Sequence, residues 1–288
     1  MRVIETVSEM QQQADDWRTD GVRIGFVPTM GYLHEGHLAL VRTALELSDE
    51  VVVSIFVNPT QFGPGEDYER YPQDMGRDLR LLTELGVDLV FAPSANEMYP
   101  AGYQTYVEVK EVTRPLCGRS RPGHFVGVTS VVAKLFNIVK PHLAIFGEKD
   151  FQQLVTIRRM VADLNMHIAV IGHPIVREAD GLAMSSRNVY LSSEERQRSL
   201  RLNQSLAKAR QLVAHGEQRA ESILAKVKEH IESGGGIRID YAELRHPESL
   251  EEVSYVEGAT LLALAAHVGK ARLLDNCLLT PPSKVEMV

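Results

Sequence analysis

Ile24-Gly25-Phe26-Val27-Pro28-Thr29-Met30-Gly31-Tyr32-Leu33-His34-Glu35-Gly36-His37 runs from an apolar stretch through a glycine-containing turn into the helical pattern 38–47. The reading is strand, tight turn, helix. Such a turn aims backbone N–H groups and the positive end of a helix at an anion. His34 and His37 stand three residues apart, so both face one ligand. Gly36 between them lets the backbone approach a phosphate closely. The pattern predicts a phosphate-handling site, and the His-x-Gly-His form narrows it to nucleotidyl transfer. A zinc-protease motif is excluded, because its second histidine would stand where Leu38 does.

Around this stretch, strands and helices alternate. Residues 22–27, 50–57, 87–92, 143–146 and 167–171 are short, β-branched and almost continuously apolar, as strands covered on both faces are. Helical patterns at 38–47, 74–85, 129–139 and 151–163 fall between them. This order predicts an α/β fold: a Rossmann-like parallel sheet with helices on both faces. Ligands of such sheets bind beyond the carboxyl ends of the strands. Asn58-Pro59-Thr60-Gln61-Phe62 and Gly147-Glu148-Lys149-Asp150 follow two of these strands, so three polar clusters share one edge.

After about Val176 the pattern changes. Ser192-Ser193-Glu194-Glu195 is a capping box opening a helix to about His215, and a second helix runs over 220–232. Short strands follow at 238–244, 260–267 and 272–279. The chain therefore divides into a Rossmann-like nucleotide-binding domain over 1–175 and a smaller α+β C-terminal domain over 176–288. Residues 177–188 read as the hinge.

Bulk properties narrow the function. The chain has 288 residues, 44% hydrophobic and 24% charged, which is ordinary for a globular protein. Its net charge of −7 argues against a broad nucleic-acid footprint. Cys117 and Cys277 have neither metal nor redox spacing and read as reduced thiols of a cytoplasmic protein. The opening residues predict no signal peptide, and no apolar run is long enough to predict a membrane span.

The clusters carry the chemistry. Lys149 can place a point charge on a phosphate, and Asp150 fits a cap for the following helix. Met184-Ser185-Ser186-Arg187-Asn188 offers two hydroxyls and a guanidinium to phosphate oxygens. Gln61 and Gln153 can orient a hydroxylated substrate without demanding charge. Arg119-Ser120-Arg121-Pro122-Gly123-His124-Phe125 suits a phosphate, a dimer partner or a plain exposed loop. Asp74, Asp78 and Asp88 suit either water-mediated Mg²⁺ or helix capping. Residues 63–68 form a lid or a surface connection. By themselves the residues reach a nucleotidylyltransferase with an uncharged polar acceptor pocket. A phosphate-bearing acceptor would want a basic site in place of Gln61 and Gln153. A non-catalytic ATP sensor would not need Lys149 and the 185–187 loop.

Taken in order, these motifs closely resemble the pantothenate synthetase family, within the class I aminoacyl-tRNA-synthetase-like nucleotidylyltransferases. The resemblance implies ATP-dependent condensation of pantoate with β-alanine through a pantoyl adenylate, releasing AMP and pyrophosphate. It implies that His34, His37 and Lys149 are catalytic, with His37 a proton donor. It places Met30, Gly31, His34, His37, Gly147, Lys149, Asp150, Val176, Met184, Ser185, Ser186 and Arg187 around ATP. It gives pantoate to Gln61 and Gln153, and β-alanine to Gln61. Mg²⁺ accompanies ATP with no assigned protein ligands, because Arg77 breaks up the acids of the 74–78 stretch. The resemblance also implies a homodimer, with no nucleic-acid or membrane partner.

Overall fold

The computed structural model describes residues 1–282. Contacts divide it into two compact units, Met1–Val176 and the remainder from Arg177.

In the first unit, strands β1 (Arg2–Ile4), β2 (Ile24–Thr29), β3 (Glu50–Ile55), β4 (Leu89–Phe91), β5 (Leu143–Gly147) and β6 (Ala169–His173) form one parallel sheet in the order β1-β4-β3-β2-β5-β6. From β2 the sheet grows one way through β3 and the other way through β5, so the strand order reverses at its centre. Helices α1 (Val7–Thr19), α2 (Glu35–Leu47), α3 (Met75–Glu84), the short α4 (Ala95–Met98) and α5 (Cys117–Ser120), α6 (His124–Val139) and α7 (Phe151–Asp163) connect the strands. Strand period two sends alternate residues to opposite faces. Val27, Val51, Val53, Leu143 and Ile145 pack with Leu38, Val41 and Ala44 of α2 and Leu82 of α3. Phe26 faces the other way and meets Phe136 of α6 edge-on, with ring centroids 6.3 Å apart. Burial on both faces explains why these strands read as unbroken apolar runs.

Several boundaries differ from the periodicity. β1 and α1 have no counterpart in it, because three residues are too few for a period and α1 buries only Met10 and Ala14. α2 begins at Glu35, which places His37 inside the helix. α6 begins at His124, five residues before the apolar pattern at 129–139, with Gly123 at φ 83° as its entry. The last strand is Ala169–His173, two residues further along than 167–171.

In the second unit, α8 (Ser193–Ala214) and α9 (Ala220–Glu232) pack on an antiparallel sheet of β7 (Ile237–Arg245), β8 (Thr260–Val268) and β9 (Ala271–Leu279). Its core includes Leu206, Val213, Ile223, Val227, Leu264 and Leu273. The capping box is present: Ser192 Oγ accepts from Glu195 N–H at 3.3 Å, and Glu195 Oε2 accepts from Ser192 N–H at 2.8 Å. The stretch read as a hinge is itself braced. Arg177 bridges to Ala183, its guanidinium forks onto Asp275 at 2.8 Å twice, and Arg196 pairs with Glu178 and Asp180.

Phe26 is fully buried. Phe26→Ala should remove about 3–5 kcal/mol from the first unit through lost transfer energy and a residual cavity. Denaturant melts followed by Trp17 in α1 check this; a loss under about 1 kcal/mol would place Phe26 outside the core.

Candidate active site

The sheet brings three loops to its carboxyl edge, and β2 lies between β3 and β5, so the loops are neighbours. The turn after β2 is tied by a set of hydrogen bonds. Thr29 Oγ donates to Ser54 O at 2.7 Å and accepts from Gly31 N–H at 3.2 Å. Gly31 at φ 82° and Tyr32 at φ 51° both sit in the left-handed region. The Asp78 carboxylate accepts from Tyr32 N–H at 2.7 Å and Leu33 N–H at 2.8 Å. His34 N–H reaches His37 Nδ1 at 3.3 Å. The N–H groups of residues 31–34 are therefore engaged within the protein. This corrects the expectation that the turn itself offers amides to an anion. Those left for a ligand belong to Glu35 and Gly36, the first helical residues, which have no carbonyl one turn behind them.

His34 occupies the N-cap of α2, and its ring stacks on that of His37, centroids 4.0 Å apart and planes 27° apart. His37 Nδ1 is an acceptor, so a neutral ring carries its proton on Nε2. Burial, then neighbouring His34, then the Lys149 ammonium hold the His37 pKa well below 6.5. At neutral pH His37 is an uncharged hydrogen-bond donor. Lys149 lies between β5 and α7, with its ammonium 3.6 Å from Asp150. Asp150 stands at the α7 N-cap position, but its side chain makes no capping bond. The expected capping role fails because the carboxylate faces the lysine.

The loop after β3 is built on Asn58, which is 1% exposed. Its Nδ2 donates to Gln61 Oε1 at 3.1 Å and Gly127 O at 3.2 Å, while Oδ1 accepts from Thr60 Oγ at 2.9 Å and Tyr99 OH at 2.8 Å. Burial pushes the Tyr99 hydroxyl up to about 12, so it stays a donor. These bonds set the Gln61 amide, whose Nε2 lies 3.1 Å from Met30 sulfur. Helix α6 is pressed against this loop: a Cβ on Gly127 would stand 2.3 Å from Thr60 O. Gln152 and Gln153 divide their work. Gln152 is buried and bonds Cys117 N–H, Val112 O and Pro115 O. Gln153 is half-buried and its side chain makes no hydrogen bond among the described residues, so its amide is available to a ligand.

The first unit thus brings Met30, Gly31, His34, His37, Gln61, Gly147, Lys149, Asp150 and Gln153 to one sheet edge. Val176 follows β6 at the end of that unit. Met184, Ser185, Ser186 and Arg187 belong to the second unit, where Ser185 Oγ caps a short 3₁₀ turn by accepting from Arg187 N–H at 3.3 Å. The three aspartates considered for Mg²⁺ are engaged elsewhere. Asp74 caps α3, Asp78 holds the turn, and Asp88 bonds Val51 N–H at the opposite sheet edge. No cluster of three or more His, Cys, Asp or Glu suited to a metal occurs among the described residues.

Residues 63–68 are fastened down. Glu66 forks onto Arg121, whose guanidinium also donates to Gln61 O at 3.2 Å and to His124 Nε2 at 3.1 Å. Phe62 packs on Tyr68 and Tyr71. Exposed pairs contribute about 0–1 kcal/mol. This one is better protected, with side chains 17% and 26% exposed, and it is braced by a shared carbonyl. Burial pushes Glu66 up, but the Arg121 bonds and charge outweigh it and hold the carboxyl below its usual range. His124 donates from Nδ1 to Gln61 O at 2.8 Å. Burial and the Arg121 charge lower its pKa to about 4.

A histidine kept neutral in the fold costs stability once the unfolded chain binds a proton. The penalty is absent well above pH 6.5 and grows as pH falls towards 4. Between pH 7 and 5, His124 should account for up to about 2 kcal/mol of lost stability. Denaturant melts of wild type and His124→Gln at both values check this; equal acid sensitivity in the two would remove His124 as the cause.

Comparisons with known proteins identify the family. Residues 2–278 match the sequence profile of the family Pantoate-beta-alanine ligase. The pantothenate synthetase of Syntrophobacter fumaroxidans is 65% identical over 281 residues, covering 98% of this chain and 99% of that protein. The pantothenate synthetase of Geobacter sulfurreducens is 57% identical over 279 residues, covering 97% and 99%. The crystal structure of pantothenate synthetase from Thermus thermophilus superposes with a TM-score of 0.92 at 47% identity, covering 98% and 100%. Pantoate-beta-alanine ligase from Francisella tularensis, crystallised with β-γ ATP and β-alanine, gives 0.80 at 34% identity, covering 96% and 97%. A profile matched over almost the whole chain, with relatives this similar, settles the family: the chain belongs to the pantoate–β-alanine ligases, the pantothenate synthetases.

Proposed function

We propose that this chain condenses pantoate with β-alanine at the expense of ATP, through an enzyme-bound pantoyl adenylate. The observation that carries the reading is the stacked His34–His37 pair at the start of α2 beside Lys149, in a chain matching the ligase profile over 2–278. The pantoate carboxylate attacks the α-phosphorus, and pyrophosphate leaves. The β-alanine amine then attacks the acyl carbon, loses a proton, and AMP leaves.

Charge develops on the phosphoryl oxygens in the first step, so donors already aimed there supply the main stabilisation. Neutral His37 offers its Nε2–H, and Lys149 offers a full charge; with its pKa depressed, His37 carries no second proton at neutral pH and acts as a hydrogen-bond donor. The Glu35 and Gly36 amides add the helix positive end. Met30, Gly31, Gly147 and Val176 line the nucleotide, and the resemblance adds Met184, Ser185, Ser186 and Arg187 to ATP binding. Gln153 presents an uncommitted amide to pantoate. Gln61, oriented by Asn58, meets pantoate and then the amine. Mg²⁺ would enter with ATP as MgATP and would neutralise charge on its phosphates. The fastened 63–68 loop keeps water from the mixed anhydride.

The protein acts as a cytoplasmic homodimer. Support for the dimer is the open edge strand β6, whose residues are half-buried or exposed in one chain. Light scattering giving the mass of one chain at working concentration would count against it. No helix among the described residues is long and apolar enough to cross a membrane.

Enzyme with MgATP, pantoate and β-alanine should release AMP, and without β-alanine it should support pyrophosphate–ATP exchange that requires pantoate. Release of ADP and phosphate, or exchange indifferent to pantoate, would exclude the mechanism. Lys149→Ala should slow adenylate formation roughly 10²–10³-fold, the usual effect of losing one such donor. Gln153→Ala should weaken pantoate by about 1–3 kcal/mol and leave ATP unchanged; equal weakening of both ligands would remove Gln153 from the acid pocket.

A further inference from the structure

The turn that presents His34 and His37 is held only in part by its own residues. Gly31 and Tyr32 both adopt positive φ, which exposes two successive N–H groups in a concavity that attracts an anion. In this protein the anion is internal. Asp78, from the first turn of α3, is 1% exposed and accepts from both Tyr32 and Leu33 N–H. Its neighbour Arg77 grips the next peptide group along, donating to Leu33 O at 2.8 Å, with its guanidinium 5.5 Å from the Tyr32 ring centre. The fit is close: a Cβ on Gly31 would stand 3.0 Å from Ile55 Cγ2 and 3.2 Å from Asp78 Oδ2.

We propose that Asp78, assisted by Arg77, is the positioning residue of the nucleotide site: its carboxylate fills the turn's anion pocket and thereby fixes where His34 and His37 stand. The ligand anion is then directed one step further along, to the first amides of α2 and the two imidazoles. This role accounts for a carboxylate buried within a site that must receive a polyanion. Its charge is turned onto backbone donors, away from the phosphates. The proposal rests on the assignment of the α2 start to ATP.

The test uses Asp78→Asn, Asp78→Ala and Arg77→Ala in the full chain. Asparagine keeps the shape but offers one acceptor where two are used, and sets an N–H₂ against the second amide. Two readouts are compared. The first is the imidazole titration of His37 followed by NMR without ligand, which reports the histidine's surroundings independently of turnover. In wild type its midpoint should lie well below 6.5, because the ring is buried beside His34 and Lys149. In Asp78→Asn it should move up towards that value as the turn loosens. The second is kinetics per folded molecule. Asp78→Asn should lower kcat at least tenfold with little change in KM for pantoate or β-alanine. Arg77→Ala, whose side chain is partly exposed, should fold normally and shift both readouts the same way by less. If Asp78→Ala does not fold, the other two variants decide. An unchanged His37 titration with wild-type kcat in Asp78→Asn overturns the proposal, as does lowered thermal stability with both readouts unchanged. Wild-type turnover in His34→Ala and His37→Ala would instead overturn the ATP assignment beneath it.

Discussion

Every parallel strand must be followed by a connection that leaves from the same edge, and this constraint organises the molecule. It forces the loops after β2, β3 and β5 into one neighbourhood, although they lie far apart in the chain. The reversal of strand order at β2 separates the crossovers to the two faces of the sheet and leaves a crevice between them. The helix positive end, the lysine after β5 and the glutamine after β3 are all delivered there by topology before any side-chain contact is considered.

Delivery alone does not give a usable geometry. The loops at that edge are held by polar groups that burial has deprived of water, and each group has found backbone partners. Asn58 holds Gln61, Asp78 holds the turn, Gln152 holds 112–117, and His124 with Arg121 holds the Gln61 carbonyl. An unpaired buried polar group costs about 1–3 kcal/mol, so each arrangement has few competitors. The side chains that stay uncommitted at this edge, such as Gln153, stand beside others that are fully engaged. This contrast separates structural from ligand-facing residues more sharply than residue type does.

Much of the fold and site was legible in the sequence. The unbroken apolar character of 50–55 and 143–146 reports burial on both faces, and the Gly-containing turn before His34 reports a helix start. Other features were not legible. β1 is too short to show a period. α6 begins with His124 because Gly123 turns the chain and Arg121 holds the ring, which no apolar spacing announces. Asp150 looks like a cap but is drawn to Lys149 by charge.

The sequence by itself determined the local chemistry: which apolar stretches form the central strands, that a helix follows the turn after β2, and which side chain types are available to meet phosphate. These follow from period, turn residues and side-chain type, all of which act over a few residues. Tertiary structure alone decided which polar groups are engaged. Asp78 reaches back 46 residues to Tyr32 and 45 to Leu33, and Arg121 reaches 55 to Glu66. Whether a carboxylate caps a helix, waits for a cation or holds a turn depends on what packing brings within about 3 Å of it. Spacing along the chain carries no such information.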